Sequence, residues 1–277
     1  MKVLKFGGTS VANASNISLV KNIVANSNTD KTVVVVSAFG GITDLLLNAA
    51  YLASSQSEGY KSILKEIEDR HLETTKALIH VNAQSKVLSK VKSDINTLET
   101  LLEGAFLIGE ITPRLSDKIV SYGELLSSYI ISEYFAQEGL NAGYVDSREL
   151  IKTNNINGKA NVNFNLTNAN CAKFFDKDNH KIIVMGGFIA SSENGNSTTL
   201  GRGGSDYTAA IVAAAINAEF LEIWTDVSGM FTANPKLVKQ AKAISHISYE
   251  EAMELSHFGA KVLYPPTIQP VLAKGIS

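Results

Sequence analysis

Short apolar runs recur along the chain, and their length and composition predict strands. Four consecutive valines, Val33 to Val36, are too few for a helix and are all β-branched. Similar runs occupy Lys181 to Met185 and Phe220 to Thr225, a weaker one covers Ala142 to Asp146, and a short one lies at Val3 and Leu4. Apolar runs without alternation are typical of strands buried on both faces of a parallel sheet.

Between these runs, apolar residues recur at helical spacing and predict amphipathic helices. The clearest stripes are Ile17, Val20, Ile23 and Val24; Ile42, Leu45, Leu46 and Ala49; and Ile119, Tyr122, Leu125, Leu126, Tyr129 and Ile130, the last closed by Gly139 as a C-cap. This alternation of strands and helices predicts an α/β fold, with a mostly parallel open sheet and helices on both of its faces.

The stretch 57–112 breaks this alternation. It is charged, free of proline and apolar at helical spacing, so it predicts a helical hairpin that forms a smaller lobe over the core. His71 and His80 within it are interpreted as solvated helix residues, and the insertion is expected to carry little of the function. The chain as a whole is expected to divide into two lobes, at about 1–190 and about 191–277.

The composition excludes several classes of protein. The 277 residues suit one large α/β domain, and 45% hydrophobic with 19% charged residues is ordinary for a soluble enzyme. The net charge of −2 gives no indication of binding to nucleic acid, and no apolar run reaches the ~18 residues of a membrane span. Cys171 is the only cysteine, which excludes an intrachain disulfide and a thiolate zinc cluster. With no visible signal peptide, a cytoplasmic location is expected.

Glycine-rich loops follow several of the predicted strands. The first strand runs into Lys5-Phe6-Gly7-Gly8-Thr9-Ser10, where bare backbone amides and a lysine can hold phosphate oxygens. A second such loop, Gly201 to Asp206, precedes an apolar helical run. In open parallel sheets, ligands bind beyond the carboxyl ends of the strands. The sequence therefore predicts one site at that edge, formed by Lys5, Gly7, Gly8, Ser37, Gly186, Gly187, Thr225 and Asp226.

The residue types at this edge favour phosphoryl transfer, which depends mainly on positioning and on charge neutralisation. The chain has no Walker A sequence and no Gly-x-Gly-x-x-Gly fingerprint, and no serine–histidine–aspartate order stands out. A carboxylate acceptor with a pKa of ~4 is already ionised at neutral pH, so such a reaction needs no general base. It does need positive charge, because an anion must approach a triphosphate.

Four separated motifs, in the same order, resemble those of the aspartate kinases in the amino-acid kinase family. They are Lys5 to Ser10, Gly201 to Asp206, Trp224-Thr225-Asp226-Val227 and Phe258 to Leu263. The stretch Ser248 to Ser256 most resembles the bifunctional aspartokinase/homoserine dehydrogenases. The resemblance implies phosphorylation of the β-carboxylate of L-aspartate by ATP with Mg²⁺, giving 4-phospho-L-aspartate, the first step towards lysine, threonine and methionine.

The resemblance also implies roles for individual residues. Lys5 would hold the transferring phosphoryl group, and Asp206 would orient lysines. Arg202 would bind the α-carboxylate of aspartate, Glu124 its α-ammonium group, and further substrate contacts would come from Ser37, Thr43 and Ser205. The nucleotide would contact Gly7, Gly8, Ser10, Thr225, Asp226, Phe231, Lys236 and Lys261. Magnesium would be held mainly by phosphate oxygens and water, with no assigned protein ligand.

Two departures and two alternatives accompany this interpretation. Phe231 and Lys236 stand where the family usually has tyrosine and arginine, and Tyr264-Pro265 stands where it has His-Pro.

The first alternative function is another amino-acid kinase, acting on glutamate, acetylglutamate or carbamate. The second is a non-catalytic nucleotide-binding regulatory module. The resemblance implies a homo-oligomer, and the net charge and hydropathy give no indication of a nucleic acid or membrane partner. We expect a catalytic domain without regulatory or dehydrogenase domains, insensitive to L-lysine and L-threonine.

Overall fold

A computed structural model describes residues 1–27, 29–227, 229–234, 237–257 and 268–277. The strands are β1 (Lys2–Phe6), β2 (Thr32–Val36), β3 (Ala142–Val145), β4 (Lys152–Thr153), β5 (Ile182–Gly186), β6 (Ile189–Ser192), β7 (Ser197–Thr199) and β8 (Phe220–Trp224). The helices are α1 (Ala14–Ala25), α2 (Ile42–Ser54), α3 (Gly59–Leu78), α4 (Val81–Ile108), α5 (Pro113–Gln137), α6 (Ser147–Leu150), α7 (Phe164–Lys177), α8 (Gly204–Ala215), α9 (Tyr249–His257) and α10 (Gln269–Leu272).

The main sheet has five strands in the order β3-β5-β2-β1-β8, and every neighbouring pair is parallel. The strands predicted from the apolar runs are therefore confirmed, within a residue or two at their ends. The first strand is longer than predicted. Lys5 belongs to β1 and pairs with Val35 on one side and Ile223 on the other, so it lies in the sheet and not in the glycine loop.

The three central strands β1, β2 and β5 are buried on both faces, as their unbroken apolar runs predict, whereas the edge strands β3 and β8 are partly exposed. Leu4 and Phe6 of β1 point into a core formed with α1, α2 and α5, whereas Val3 points into a second core formed with α7, α8 and α10. This alternation places Lys5 on the same face as Val3, which is the face that α8 covers. The predicted α/β fold with helices on both faces is confirmed.

The stretch 57–112 contains α3 and α4, which pack on each other and on α2. The interpretation of His71 as a solvated residue is wrong, because its side chain is fully buried. It lies one turn beyond Ile67 on the apolar face of α3, and its ring stacks on Phe39 with centroids 5.0 Å apart. Burial lowers the pKa of His71 to about 4, so the ring is neutral at physiological pH.

A second, three-stranded sheet in the order β4-β6-β7 lies beside the first. Its β6–β7 hairpin is antiparallel and leads directly into Gly201 and the start of α8. The hairpin also contacts α5, where the Thr199 hydroxyl donates to the buried Asp117 carboxylate at 2.8 Å. None of the helices in the described part of the chain combines the length and the hydropathy that a bilayer span requires.

Candidate functional site

A cleft of about 360 Å³ opens at the carboxyl edge of the main sheet. Its walls come from the ends of β1 and β2, from the loop 37–44, from α5 and from the segment that opens α8. The volume lies within the range of pockets that bind small molecules. Of the residues predicted for the site, Lys5, Gly8, Ser37, Thr43, Glu124, Ser205 and Asp206 all line this one cleft.

Lys5 and Asp206 form an ion pair at the back of the cleft. The Lys5 Nζ lies 2.7 Å from the Asp206 Oδ1, and both side chains are largely buried. Asp206 stands in the first turn of α8, whose dipole also favours a carboxylate there. A Cβ on Gly7 would lie 3.5 Å from the Lys5 Nζ, so the ammonium group is held directly against the glycine loop. The pair thus fixes a cation beside the glycine loop, where the Gly7 N–H donates to the Trp224 carbonyl at 3.4 Å and Gly8 lines the cleft.

The cleft is compact because glycines let its walls approach closely. A Cβ on Gly187 would lie 2.6 Å from the Cβ of Ser205, a distance that would force the end of β5 and the start of α8 apart. Likewise, a Cβ on Gly123 would lie 2.8 Å from the Cβ of Ala38 and would push α5 away from the loop after β2. Glycine at these two positions therefore brings the elements that carry the polar side chains together.

Glu124 lies at the bottom of the cleft on α5 and is only 3% exposed. Its Oε2 atom has no hydrogen-bond partner among the residues that the structure describes. Burial raises the pKa of Glu124 to about 8, although backbone contacts, including one at Ala38, oppose the rise. A buried carboxyl without a counter-ion, facing a cleft, is suited to receive a cationic group from a ligand.

The hydroxyl groups predicted for the site form a small network near Glu124. The Ser37 hydroxyl donates to the Ser205 Oγ at 3.1 Å, which links the end of β2 to the start of α8. The Ser127 hydroxyl donates to the Ser37 carbonyl at 2.8 Å and joins α5 to the same point. Thr43 stands in the first turn of α2 and lines the opposite wall.

Arg202 lies between Gly201 and Gly203, both of which line the cleft at positive φ. Its own side chain is exposed and is not among the lining groups. The structure thus brings the backbone of this loop to the cleft and leaves the Arg202 side chain at its outer edge.

The residues predicted to contact the nucleotide do not all lie in the cleft. Ser10, Thr225 and Asp226 line a second groove of about 280 Å³ between α1 and the end of β8. Neighbouring residues of β1 line the two cavities, Phe6 the groove and Lys5 the cleft. Phe231 lies apart from both and pairs with Ala243 in an isolated β-bridge. Lys236, Lys261 and the motif 258–263 lie outside the described residues.

Sequence reasoning missed Phe188, which lines the cleft directly after Gly187. Its φ of 64° is unusual for a residue with a side chain, and the strain is held by a hydrogen bond from its N–H to the Thr208 Oγ1 at 3.0 Å. The signal in the sequence that could have identified Phe188 is its position directly after a buried strand and two glycines. Sequence reasoning missed it because an aromatic residue is usually expected in the hydrophobic core.

Sequence reasoning also missed the contact between the helical insertion and the loop after β2. Arg70 on α3 donates from its Nη2 to the Gly40 carbonyl at 2.8 Å, and Phe39 stacks on His71. Phe39, Gly40 and Gly41 all line the cleft. The insertion therefore holds one wall of the cleft in place, and Arg70 is a positioning residue for that wall.

The cleft thus combines a lysine held beside a glycine loop with a buried carboxyl whose Oε2 has no hydrogen-bond partner among the described residues. A family model described as the amino acid kinase family matches residues 1–277. The chain belongs to this family.

The chain is also similar to individual members. It is 36% identical over 275 residues to the bifunctional aspartokinase/homoserine dehydrogenase 2 of Zea mays, covering 99% of this chain and 30% of that protein. It is 36% identical over 276 residues to the lysine-sensitive aspartokinase 3 of Escherichia coli, covering 60% of it. A crystal structure of E. coli aspartokinase III in complex with aspartate and ADP matches with a TM-score of 0.90 at 34% identity, over all of this chain and 60% of that one.

Proposed function

We propose that this chain is an aspartate kinase. It would transfer the γ-phosphoryl group of ATP to the β-carboxylate of L-aspartate and release ADP and 4-phospho-L-aspartate, the first step towards lysine, threonine and methionine. The names of the relatives support this, as does the aspartate and ADP complex of the similar E. coli structure. The chain spans about 30 to 60% of the length of these relatives. Their further activities are not part of the proposal.

The observation that carries the proposal is Glu124. A free amino acid brings an ammonium group, and the buried, partnerless Oε2 of Glu124 would give it a counter-ion at the bottom of the cleft. Acetylglutamate and carbamate carry no ammonium group, so neither would use this carboxylate. Ser37, Thr43 and Ser205 lie on the walls around it, where they can donate to or accept from the rest of the substrate.

The transfer itself would rest on charge and position. The β-carboxylate of aspartate is the nucleophile and is already ionised, so no side chain has to remove a proton. Lys5 lies at the glycine loop, where its ammonium group would offset the charge that spreads over the phosphoryl oxygens in the transition state. Asp206 would keep Lys5 in place without exchanging a proton. The amide of Gly8 would hold phosphate oxygens, whereas the Gly7 N–H donates to the Trp224 carbonyl at 3.4 Å.

The base and ribose of the nucleotide would lie towards Thr225, Asp226 and Ser10. Phe231, Lys236 and Lys261 would provide further contacts. Magnesium would neutralise phosphate charge and would be held mainly by phosphate oxygens and water. The Asp206 carboxylate in the cleft is engaged by Lys5, which fits a metal bound chiefly by the substrate. A cytoplasmic location and self-association remain predictions.

The assay that tests the proposal is nucleotide-dependent ADP release with different acceptors. L-Aspartate is expected to stimulate release strongly, whereas L-glutamate, N-acetyl-L-glutamate and carbamate are not. Stimulation by one of the other acceptors would make the chain a different amino-acid kinase. Nucleotide binding without turnover on any acceptor would favour a regulatory module.

Arg202→Lys is expected to raise the KM for aspartate about ten- to a hundredfold and to leave the KM for ATP nearly unchanged. Lysine keeps the charge but loses the two parallel hydrogen bonds that a guanidinium offers to a carboxylate, and a hydrogen bond to a charged group contributes ~1.5–3 kcal/mol. Steady-state kinetics with each substrate varied in turn would measure both constants. Equal increases in the two KM values would place Arg202 on the nucleotide side.

Arg70→Met is expected to raise the KM for aspartate roughly tenfold, since the cleft wall at Gly40 loses a charge-assisted hydrogen bond. Arg70→Lys, which can still donate to the carbonyl, should recover part of the loss. The matched control is Lys76→Met, an exposed cation on the same helix. If Arg70→Met and Lys76→Met give the same KM, the wall holds its position without Arg70.

A further inference from the structure

A basic cleft of about 430 Å³ lies outside the site described above. It is lined by Arg114 and Lys118 of α5, Arg148 of α6, Lys152 of β4 and the β6–β7 hairpin. None of its lining residues lines the catalytic cleft. The carboxylate in its lining is Glu149, which is exposed at the rim.

The two inner cations of this basic cleft are held rigidly. Arg148 is oriented by Asp146, which accepts from its Nε and Nη2, and its Nη1 donates to the Ser197 Oγ at 3.0 Å. The Lys152 Nζ donates to two neutral acceptors, the Arg148 carbonyl at 2.8 Å and the Ser191 Oγ at 2.9 Å. Both cations are thus fixed before any ligand arrives, which lowers the entropic cost of binding.

Both inner cations also keep donors for a ligand. A guanidinium carries five N–H groups and an ammonium three, so each Nη of Arg148 and the Nζ of Lys152 retain a further N–H beyond these contacts with described residues. The Ser197 hydroxyl accepts from Arg148, which leaves its own hydrogen available for donation. These unused donors belong to groups that line the same cavity.

The two outer cations add charge without a matching carboxylate. Arg114 donates from its Nη2 to the Asn196 Oδ1 on the hairpin, and Lys118 lies one turn further along α5. Among the ion pairs of the described residues, Arg148 is the one member of this group of four that pairs with a carboxylate, that of Asp146. Four cations from three elements therefore repel one another across a small cavity, and a bound anion would relieve that repulsion.

The lining also defines the chemistry of the ligand. It consists of charged and polar side chains and one glycine, with no apolar side chain on which a base or ring could stack. A compact ligand with several negative charges fits such a lining, and arginine forks match phosphate oxygens well. We propose that the basic cleft binds a compact multivalent anion of the phosphate class, at a site separate from the catalytic cleft.

The test is isothermal titration calorimetry at low ionic strength with inorganic pyrophosphate, and in a second arm with glycerol 3-phosphate. The double variant R114A/K118A removes the two exposed cations, whose loss leaves no buried group unpaired. It is expected to weaken pyrophosphate binding at least about tenfold. Lys5→Ala removes the cation that would face phosphate in the catalytic cleft, and it should leave pyrophosphate binding at the basic cleft unchanged. The matched control is K173A/K177A, which removes two exposed cations one turn apart on α7.

Each outcome decides the proposal. Loss of binding in R114A/K118A but not in K173A/K177A, with both melting like the unmodified chain, supports it. The relative affinities of the two arms then show whether the ligand is inorganic or a small ester. Equal losses in the two double variants would mean that only net charge matters. Loss in Lys5→Ala but not in R114A/K118A would place the anion in the catalytic cleft. Either of these two results overturns the proposal, and so does a titration in which neither probe binds.

Discussion

Lys5→Ala is expected to lower kcat by about 10²–10³-fold and to change the KM for ATP far less. The Lys5 ammonium lies 2.7 Å from Asp206 and directly against the Gly7 position, so it stands where phosphoryl charge would develop. Removing one such preorganised contact typically costs ~3–4 kcal/mol in the transition state. Rapid-quench or coupled ADP-release kinetics at saturating aspartate and ATP would measure the effect.

Lys2→Ala is the matched control for this prediction. Lys2 lies at the opposite end of the same strand and pairs with Glu222 at 2.7 Å, so its loss removes an ion pair from β1 without touching the cleft. Lys5→Ala also leaves Asp206 without its cation, and the double variant with Asp206→Asn removes that complication. If Lys5→Ala keeps more than about a tenth of the kcat, Lys5 does not stabilise the transition state.

The sheet could be predicted from the sequence because its strands are short apolar runs, and the central strands β1, β2 and β5 are buried on both faces. A run such as Val33 to Val36 leaves no room for a helical pattern, and all five strands of the main sheet were located in this way. The end of β1 was misplaced, because a lysine before two glycines resembles a loop. The register of Lys5 with Val35 and Ile223 shows that a lysine can lie within a buried strand when a carboxylate on the covering helix pairs with it.

The position of the site was also predictable, because the carboxyl ends of parallel strands meet at one edge. The packing of the helical insertion against the rest of the chain could not be predicted from the sequence. Arg70 and His71 read as ordinary residues of a charged helix, and only the packing of α3 against the loop after β2 brings them to Phe39 and Gly40. The same holds for Glu124, whose environment depends on the close approach that Gly123 permits.

The KM for aspartate is expected to rise about tenfold for each pH unit below about 8, from a plateau above that value. In the free protein, burial raises the pKa of Glu124 to about 8, so most molecules carry a proton on this carboxyl at pH 6 to 7. Only the ionised carboxylate can pair with an ammonium group, and binding at lower pH must therefore expel the proton. The β-carboxylate of aspartate, with a pKa of ~4, stays ionised throughout this range.

Glu124→Gln separates this effect from titration elsewhere, because glutamine keeps the shape of the side chain and cannot ionise. The variant should show a high KM for aspartate that does not change with pH. Calorimetry of aspartate binding in buffers of different ionisation enthalpy should show no proton release for this variant.

The pH dependence of folding stability offers an independent measurement of the Glu124 pKa. An unfolded glutamate ionises near ~4.3, so the unmodified chain should lose stability as the pH rises from there towards 8, and Glu124→Gln should lose less. A flat KM profile in the unmodified chain, or an equal slope in Glu124→Gln, would show that the α-ammonium group of the substrate does not bind at Glu124.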